Sequence, residues 1–181
     1  LDNHSTIEEV IASDKLIRIT SNGTPLHYLV ADANGHAASI EFLDGIMQVH
    51  KDNDLPMPVL TNDTYASSIA SLSNNTTPQN NSLDRFSTVC NMIQQYKAET
   101  SERSLVDQSF DILNKVAQGD YTKWSIVYDI GNKQVWFKTE KYKQIRSVNF
   151  SAFDFSCSVK SQMINMNGRE QGDISKLFSD F

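Results

Sequence analysis

Apolar and polar positions change period three times along this chain, and each change predicts a different kind of element. At the start, Ile7, Val10 and Ile11 share one helical face, and Ser5 or Thr6 followed by Glu8 or Glu9 forms a capping-box pattern that opens a short helix. Alternation then takes over. It predicts strands over Lys15–Thr20, Leu26–Ala31, Ala37–Leu43 and Ile46–His50, joined by turns at Asn22-Gly23, Asn34-Gly35 and Asp44-Gly45. Four strands on short turns make an antiparallel meander, which runs directly into Leu55-Pro56-Met57-Pro58-Val59-Leu60-Thr61-Asn62. Prolines at alternate positions fix φ and remove backbone donors, so here the chain must leave the sheet.

Helical spacing returns over Tyr65–Leu72 and Leu83–Lys97, the second carrying Leu83, Phe86, Cys90 and Ile93 on one stripe. Between them, Ser73–Ser82 is almost entirely Asn, Ser, Thr, Gln and Pro, the composition of a solvated loop. Ser104 caps a further helix with Val106, Phe110, Leu113 and Ala117 facing inward, ended by Gly119. The last third reverts to strands: a hairpin of Lys123–Ile130 and Gln134–Thr139 about Gly131-Asn132, then Gln144–Phe150. Phe153–Cys157 should seal the core, and Gly172–Phe181 looks like a short terminal helix. Helices set apart from antiparallel hairpins predict an α+β layered sandwich, read as a single domain over residues 1–181.

Composition narrows the function classes. A net charge of −6 without a clustered basic patch argues against nucleic acid, and no run approaches the length that spans a bilayer, so no membrane insertion is expected. Cys90 and Cys157 form neither a disulfide framework nor a metal-ligand spacing and are expected to be buried apolar residues. His4, His27, His36 and His50 are scattered, with no metal-binding or nucleophile motif, and no cofactor is implied. Sequons at Asn3, Asn22, Asn62, Asn74, Asn75, Asn80 and Asn149 would suit a secreted glycosylated binding module, although the polar loop produces several of them by composition alone.

Two residues carry candidate chemistry. The Asn62 side-chain amide offers two uncharged N–H donors, suited to an oxyanion that exists only transiently; the alternative is a cap on the helix beginning near Tyr65. Arg85 sits in the first turn of its helix, where a cation opposes the helix dipole, so it either points to solvent, pairs with an acid such as Asp84, or is held for catalysis.

His27-Tyr28-Leu29-Val30-Ala31-Asp32-Ala33-Asn34-Gly35, Ile40-Glu41-Phe42, Val59-Leu60-Thr61-Asn62, Ser82-Leu83-Asp84-Arg85-Phe86 and Trp124-Ser125-Ile126-Val127-Tyr128-Asp129 occur in that order. Together they resemble the later part of the choloylglycine hydrolase and penicillin V acylase family of linear-amide hydrolases. The resemblance implies an αββα sandwich of two antiparallel sheets between helix layers, and an N-terminal cysteine whose thiolate forms a thioester acyl-enzyme. It implies that Asn62 is the oxyanion-hole asparagine and that Arg85 lies beside the nucleophile, favouring thiolate over thiol.

The chain begins with Leu1, and neither cysteine can be an N-terminal nucleophile. The expectation is therefore the later portion of an enzyme, inert alone, whose partner is the missing N-terminal part. An inactive family member serving as a structural or binding domain is the alternative. The substrate implied is an amide of a bulky apolar acid, of the penicillin V, bile-salt or acyl-homoserine lactone type. A homo-oligomer is possible, but the short segment between Asn62 and Arg85 lacks the arm through which some relatives form tetramers.

Overall fold

The computed structural model describes residues 3–17, 19, 26–73, 81–98 and 104–181, which divide between two units, Leu1–Glu99 and Thr100–Phe181. In the first unit α1 (Ile7–Ala12) starts at Thr6, whose side chain accepts from the Glu9 N–H while Glu9 reaches back to the Thr6 backbone. Both halves of the predicted capping box are present. Ile7, Val10 and Ile11 pack on one face of a three-stranded antiparallel sheet, β1 (His27–Ala31), β2 (Ala37–Leu43) and β3 (Ile46–Lys51). The register sets Tyr28, Ile40 and Val49 side by side under α1. Asp44 and Gly45, with φ of 53° and 75°, close the second hairpin as their residue types require.

The first hairpin is tied by Asp32. Its carboxylate accepts from the backbone N–H groups of Asn34 at 2.9 Å, His36 at 3.1 Å and Ile7 at 3.4 Å, joining the loop to the start of α1. Burial works to raise the Asp32 pKa, but the N–H donors outweigh it and hold the carboxyl below its usual value.

The strand expected over Lys15–Thr20 is replaced at its start by a 3₁₀ turn, Ser13–Lys15, that continues α1. The Ser13 hydroxyl donates to the Val10 carbonyl at 2.6 Å, a local bond that competes with strand formation. Residues 18 and 20–25, with the Asn22-Gly23 turn, lie outside the described residues, so the described meander has three strands.

On the other side of the extended segment lie α2 (Tyr65–Ser73) and α3 (Asn81–Ala98). Leu55, Met57 and Val59 alternate inward with Pro56 and Pro58 outward, and meet Tyr65, Phe86 and Cys90 in one cluster. Burying each large apolar side chain contributes about 1.5–3 kcal/mol, which fixes this irregular segment without a sheet ladder. Most of the polar loop, residues 74–80, falls outside the described residues; Asn81 and Ser82 belong to α3.

The second unit contains α4 (Leu105–Lys115), capped by Ser104, with Phe110 buried, and in contact with β4 (Trp124–Asp129). Then follow β5 (Gln134–Thr139), β6 (Arg146–Asn149), β7 (Gln162–Met163), β8 (Gly172–Asp173) and β9 (Ser179–Asp180). The sheet order is β4-β5-β6-β8, antiparallel except for the β6–β8 pair, while β7 and β9 pair separately. Phe137, Val148 and Ile174 form its core. The fully buried Arg146 lies over the Phe137 ring at 4.6 Å and donates to the Gly168 carbonyl at 3.2 Å.

Two expectations here are corrected. Gly172–Phe181 is not a helix: β8, a 3₁₀ turn at Ser175–Leu177 and β9 replace it. Asp173 accepts from both the backbone and the hydroxyl of Ser175, and the Ile174 N–H donates to the Ser147 carbonyl, so local and sheet bonds use the groups a helix would need. Of Phe153–Cys157, only Phe153 packs on the core, at 4.9 Å from Phe178. Phe155 and Cys157 are exposed. Helices with mainly antiparallel sheets make the fold class α+β.

Candidate functional site

Asn62 ends the proline segment, and its place is set by bonds on both sides. The Asn62 and Asp63 backbone N–H groups donate to the Ser82 hydroxyl oxygen at 2.9 and 3.0 Å. That hydroxyl donates to Thr61 Oγ1 at 3.1 Å, and Thr61 Oγ1 donates back to the Ser82 carbonyl at 3.2 Å. A turn of three residues is thereby clamped to the first turn of α3. Upstream, the Tyr65 hydroxyl donates to the Met57 carbonyl at 3.0 Å. Burial raises the Tyr65 pKa above its usual value, so the hydroxyl stays protonated and able to donate.

The clamp brings the two candidate residues together. The Arg85 guanidinium donates to Asn62 Oδ1. Arginine has no acceptor, so this bond decides which end of the amide faces it: Oδ1 turns to Arg85 and the two Nδ2 hydrogens point away. Asn62 is exposed and Arg85 half-buried. The capping alternative is answered by Thr64, whose hydroxyl oxygen accepts from the Ser67 N–H at 3.3 Å at the start of α2. Thr64 rather than Asn62 therefore supplies this cap, and one partner of Arg85 is the neutral Asn62 amide.

The remaining candidates separate. Cys90 is buried in the α2–α3 cluster, and burial pushes its thiol up to about 11, whereas Cys157 is exposed, against the expectation that both would be buried. At pH 8 a thiol with that pKa is about one part in 10³ thiolate. An aromatic disulfide reagent is therefore expected to label one cysteine of the native chain, Cys157, and the second only on unfolding; rapid labelling of both would contradict this packing.

Glu8, Asp32 and His36 bring one potential metal-ligand atom each within 4.8 Å, but the Asp32 oxygens already accept the backbone N–H groups that tie its loop. Clefts of about 250 Å³ beside α1 and about 320 Å³ lined by Phe150, Phe153, Phe155 and Phe178 include neither Asn62 nor Arg85.

Sequence reasoning passed over two residues. Ser82 supplies the clamp, and Glu41, only 2 % exposed on the middle strand β2, accepts from the first N–H of α2. The available signal for Glu41 was a charged residue inside the otherwise apolar and small run Ala37–Leu43.

Comparison of the whole chain with solved structures gives strong matches. Penicillin V acylase from Agrobacterium tumefaciens superposes with a TM-score of 0.78 at 20% identity, covering 100% of this chain and 64% of that protein. The fold is shared with penicillin V acylase. Two variants of conjugated bile acid hydrolase from Clostridium perfringens match with TM-scores of 0.66 at 19% and 18% identity, covering 100% of this chain and 63% of theirs. The chain thus spans a little under two thirds of these proteins. No family model and no curated protein matches the sequence.

Proposed function

We propose that this chain is the oxyanion-stabilising portion of an N-terminal-cysteine amide hydrolase with αββα layering. The observation that carries the proposal is the Arg85-to-Asn62 bond, which leaves a pair of amide N–H donors directed away from a fixed cation. The structural neighbours, a penicillin V acylase and a conjugated bile acid hydrolase, support the reaction class.

The chemistry follows from these groups. A cysteine outside this chain loses its thiol proton to its own α-amino group, and the thiolate attacks the carbonyl carbon of a linear amide. The carbonyl oxygen becomes an oxyanion, which accepts from Asn62 Nδ2. Collapse expels the amine, which takes the proton held on the α-amino group, and leaves a thioester. Water attacks the thioester with the α-amino group again as base, releasing the acid and restoring the thiol. The Arg85 charge favours thiolate over thiol. The acyl group is bulky and apolar, and a penicillin V-type side chain is preferred over a bile acid.

The test begins with the intact mass and N-terminal sequence of every polypeptide in the purified sample, followed by hydrolysis of penicillin V and glycocholate. Material containing a polypeptide that begins with cysteine is expected to release acid, and the chain beginning at Leu1 is expected to release none alone. Hydrolysis by the latter alone would refute the mechanism. Silence from the former would favour an inactive binding domain.

A further inference from the structure

A buried carboxylate that takes no part in the chemistry above lies under the segment that carries Asn62. Glu41 is on β2, the middle strand, whose faces are both covered over Ala38–Glu41. Its two carboxylate oxygens accept from the Tyr65 N–H at 3.0 and 3.1 Å, at the N-terminus of α2, where a helix favours negative charge. His27 lies opposite it on β1, with Nδ1 at 3.3 Å, and His50 lies diagonally on β3, with Nε2 at 4.0 Å. The His50 ring also rests against the Tyr65 ring, centroids 4.8 Å apart. Charge, helix and both imidazoles converge on one backbone position.

That position is two residues beyond the Asn62-Asp63 clamp. Only Asp63 and Thr64 separate Asn62 from Tyr65, and consecutive Cα atoms are about 3.8 Å apart. The clamp on Ser82 holds one end of this short link and Glu41 the other. We propose that Glu41 is a positioning residue for the Asn62 amide, setting where the oxyanion donor sits by anchoring the N-terminus of α2 to the middle strand of the sheet. The catalytic consequence rests on the proposed amide-hydrolase function; the structural coupling does not. A displacement of about 1 Å at a reacting group can cost about 10²-fold in rate, so a residue that never touches substrate can control turnover through this link.

The variant Glu41→Gln keeps the shape and one acceptor but removes the charge. In the 181-residue chain, nitrogen-15 spectra are expected to show the Asn62 side-chain amide pair and the Asn62 and Asp63 backbone amides shifted, and Tyr65 amide exchange accelerated roughly tenfold or more. In the cysteine-containing hydrolase the same variant is expected to lower kcat with KM nearly unchanged, whereas simple unfolding would lower the concentration of active sites. His27→Gln and His50→Gln remove the partly exposed partners and should shift the Asn62 amide pair in the same direction by less, which keeps the test decisive if Glu41→Gln does not fold. Unmoved Asn62 resonances in a folded Glu41→Gln chain, or in both histidine variants where that chain does not fold, would overturn the proposal. If the spectra move as expected but the wild-type hydrolase has no amidase activity, the functional reading fails and the structural coupling stands.

Discussion

Asn62→Ala is expected to lower kcat by about 10²–10³ in the cysteine-containing hydrolase, while the folded chain stays nearly as stable as the wild type. Under the proposed function the rate loss is that of removing one oxyanion donor. The small stability change follows from exposure: the Asn62 side chain is on the surface, and exposed substitutions usually stay within about 0.5 kcal/mol. The backbone bonds to Ser82 do not depend on the side chain, so the turn survives the change. Arg85→Ala distinguishes the two roles of the pair. Without the guanidinium nothing in the pair fixes which end of the Asn62 amide faces outward, so part of the Asn62 loss should appear in Arg85→Ala as well. Steady-state kinetics alongside urea unfolding measures both quantities on the same samples. Unchanged kcat in Asn62→Ala would remove Asn62 from the mechanism.

The second large effect is on stability. Phe86 is fully buried on α3 among Leu55, Met57, Val59, Tyr65 and Cys90, with its ring edge-on to Tyr65 at a centroid distance of 6.3 Å. Phe86→Ala should destabilise the chain by about 3–5 kcal/mol, the sum of lost burial and the cavity left behind. That is a large fraction of the roughly 5–15 kcal/mol by which a domain is stable. Because Leu55, Met57 and Val59 have no ladder partners among the described residues, the loss should be felt first in the segment leading to Asn62. Urea unfolding with a fall in midpoint reads the effect; a change under about 1 kcal/mol would show that the cluster does not hold that segment.

Local patterns carried most of the elements. The capping box at Thr6 and Glu9, the turn at Asp44-Gly45, the helical stripe through Phe86 and Cys90, and the Ser104 cap each involve residues within a few positions of one another, and all form as predicted. Failures occurred where a side chain offered the backbone a nearer partner, as Ser13 did to Val10 and Asp173 did to Ser175. In the hairpin after β4 the positive φ falls on Lys133, not on Gly131, because the glycine marks the turn without deciding which of its residues bears the left-handed backbone. Exposure was the other failure: Cys157 has the side chain of a core residue, yet it lies exposed among short turns.

The amino-acid sequence by itself determined that Asn62 and Arg85 were worth attention and that proline would take Asn62 out of the sheet, since residue type and φ restriction are properties of the chain. It could not orient the amide, because the bond that does so joins residues 23 positions apart and exists only once α3 lies beside the Asn62 turn. Nor could it assign Glu41. A charged residue in a strand pattern ordinarily faces water, and only the meeting of the α2 N-terminus with the middle strand places that carboxylate between a helix N-terminus and two histidines. Tertiary structure decided these points because the energy of a buried polar group depends on its partners, and here those partners come from separate elements.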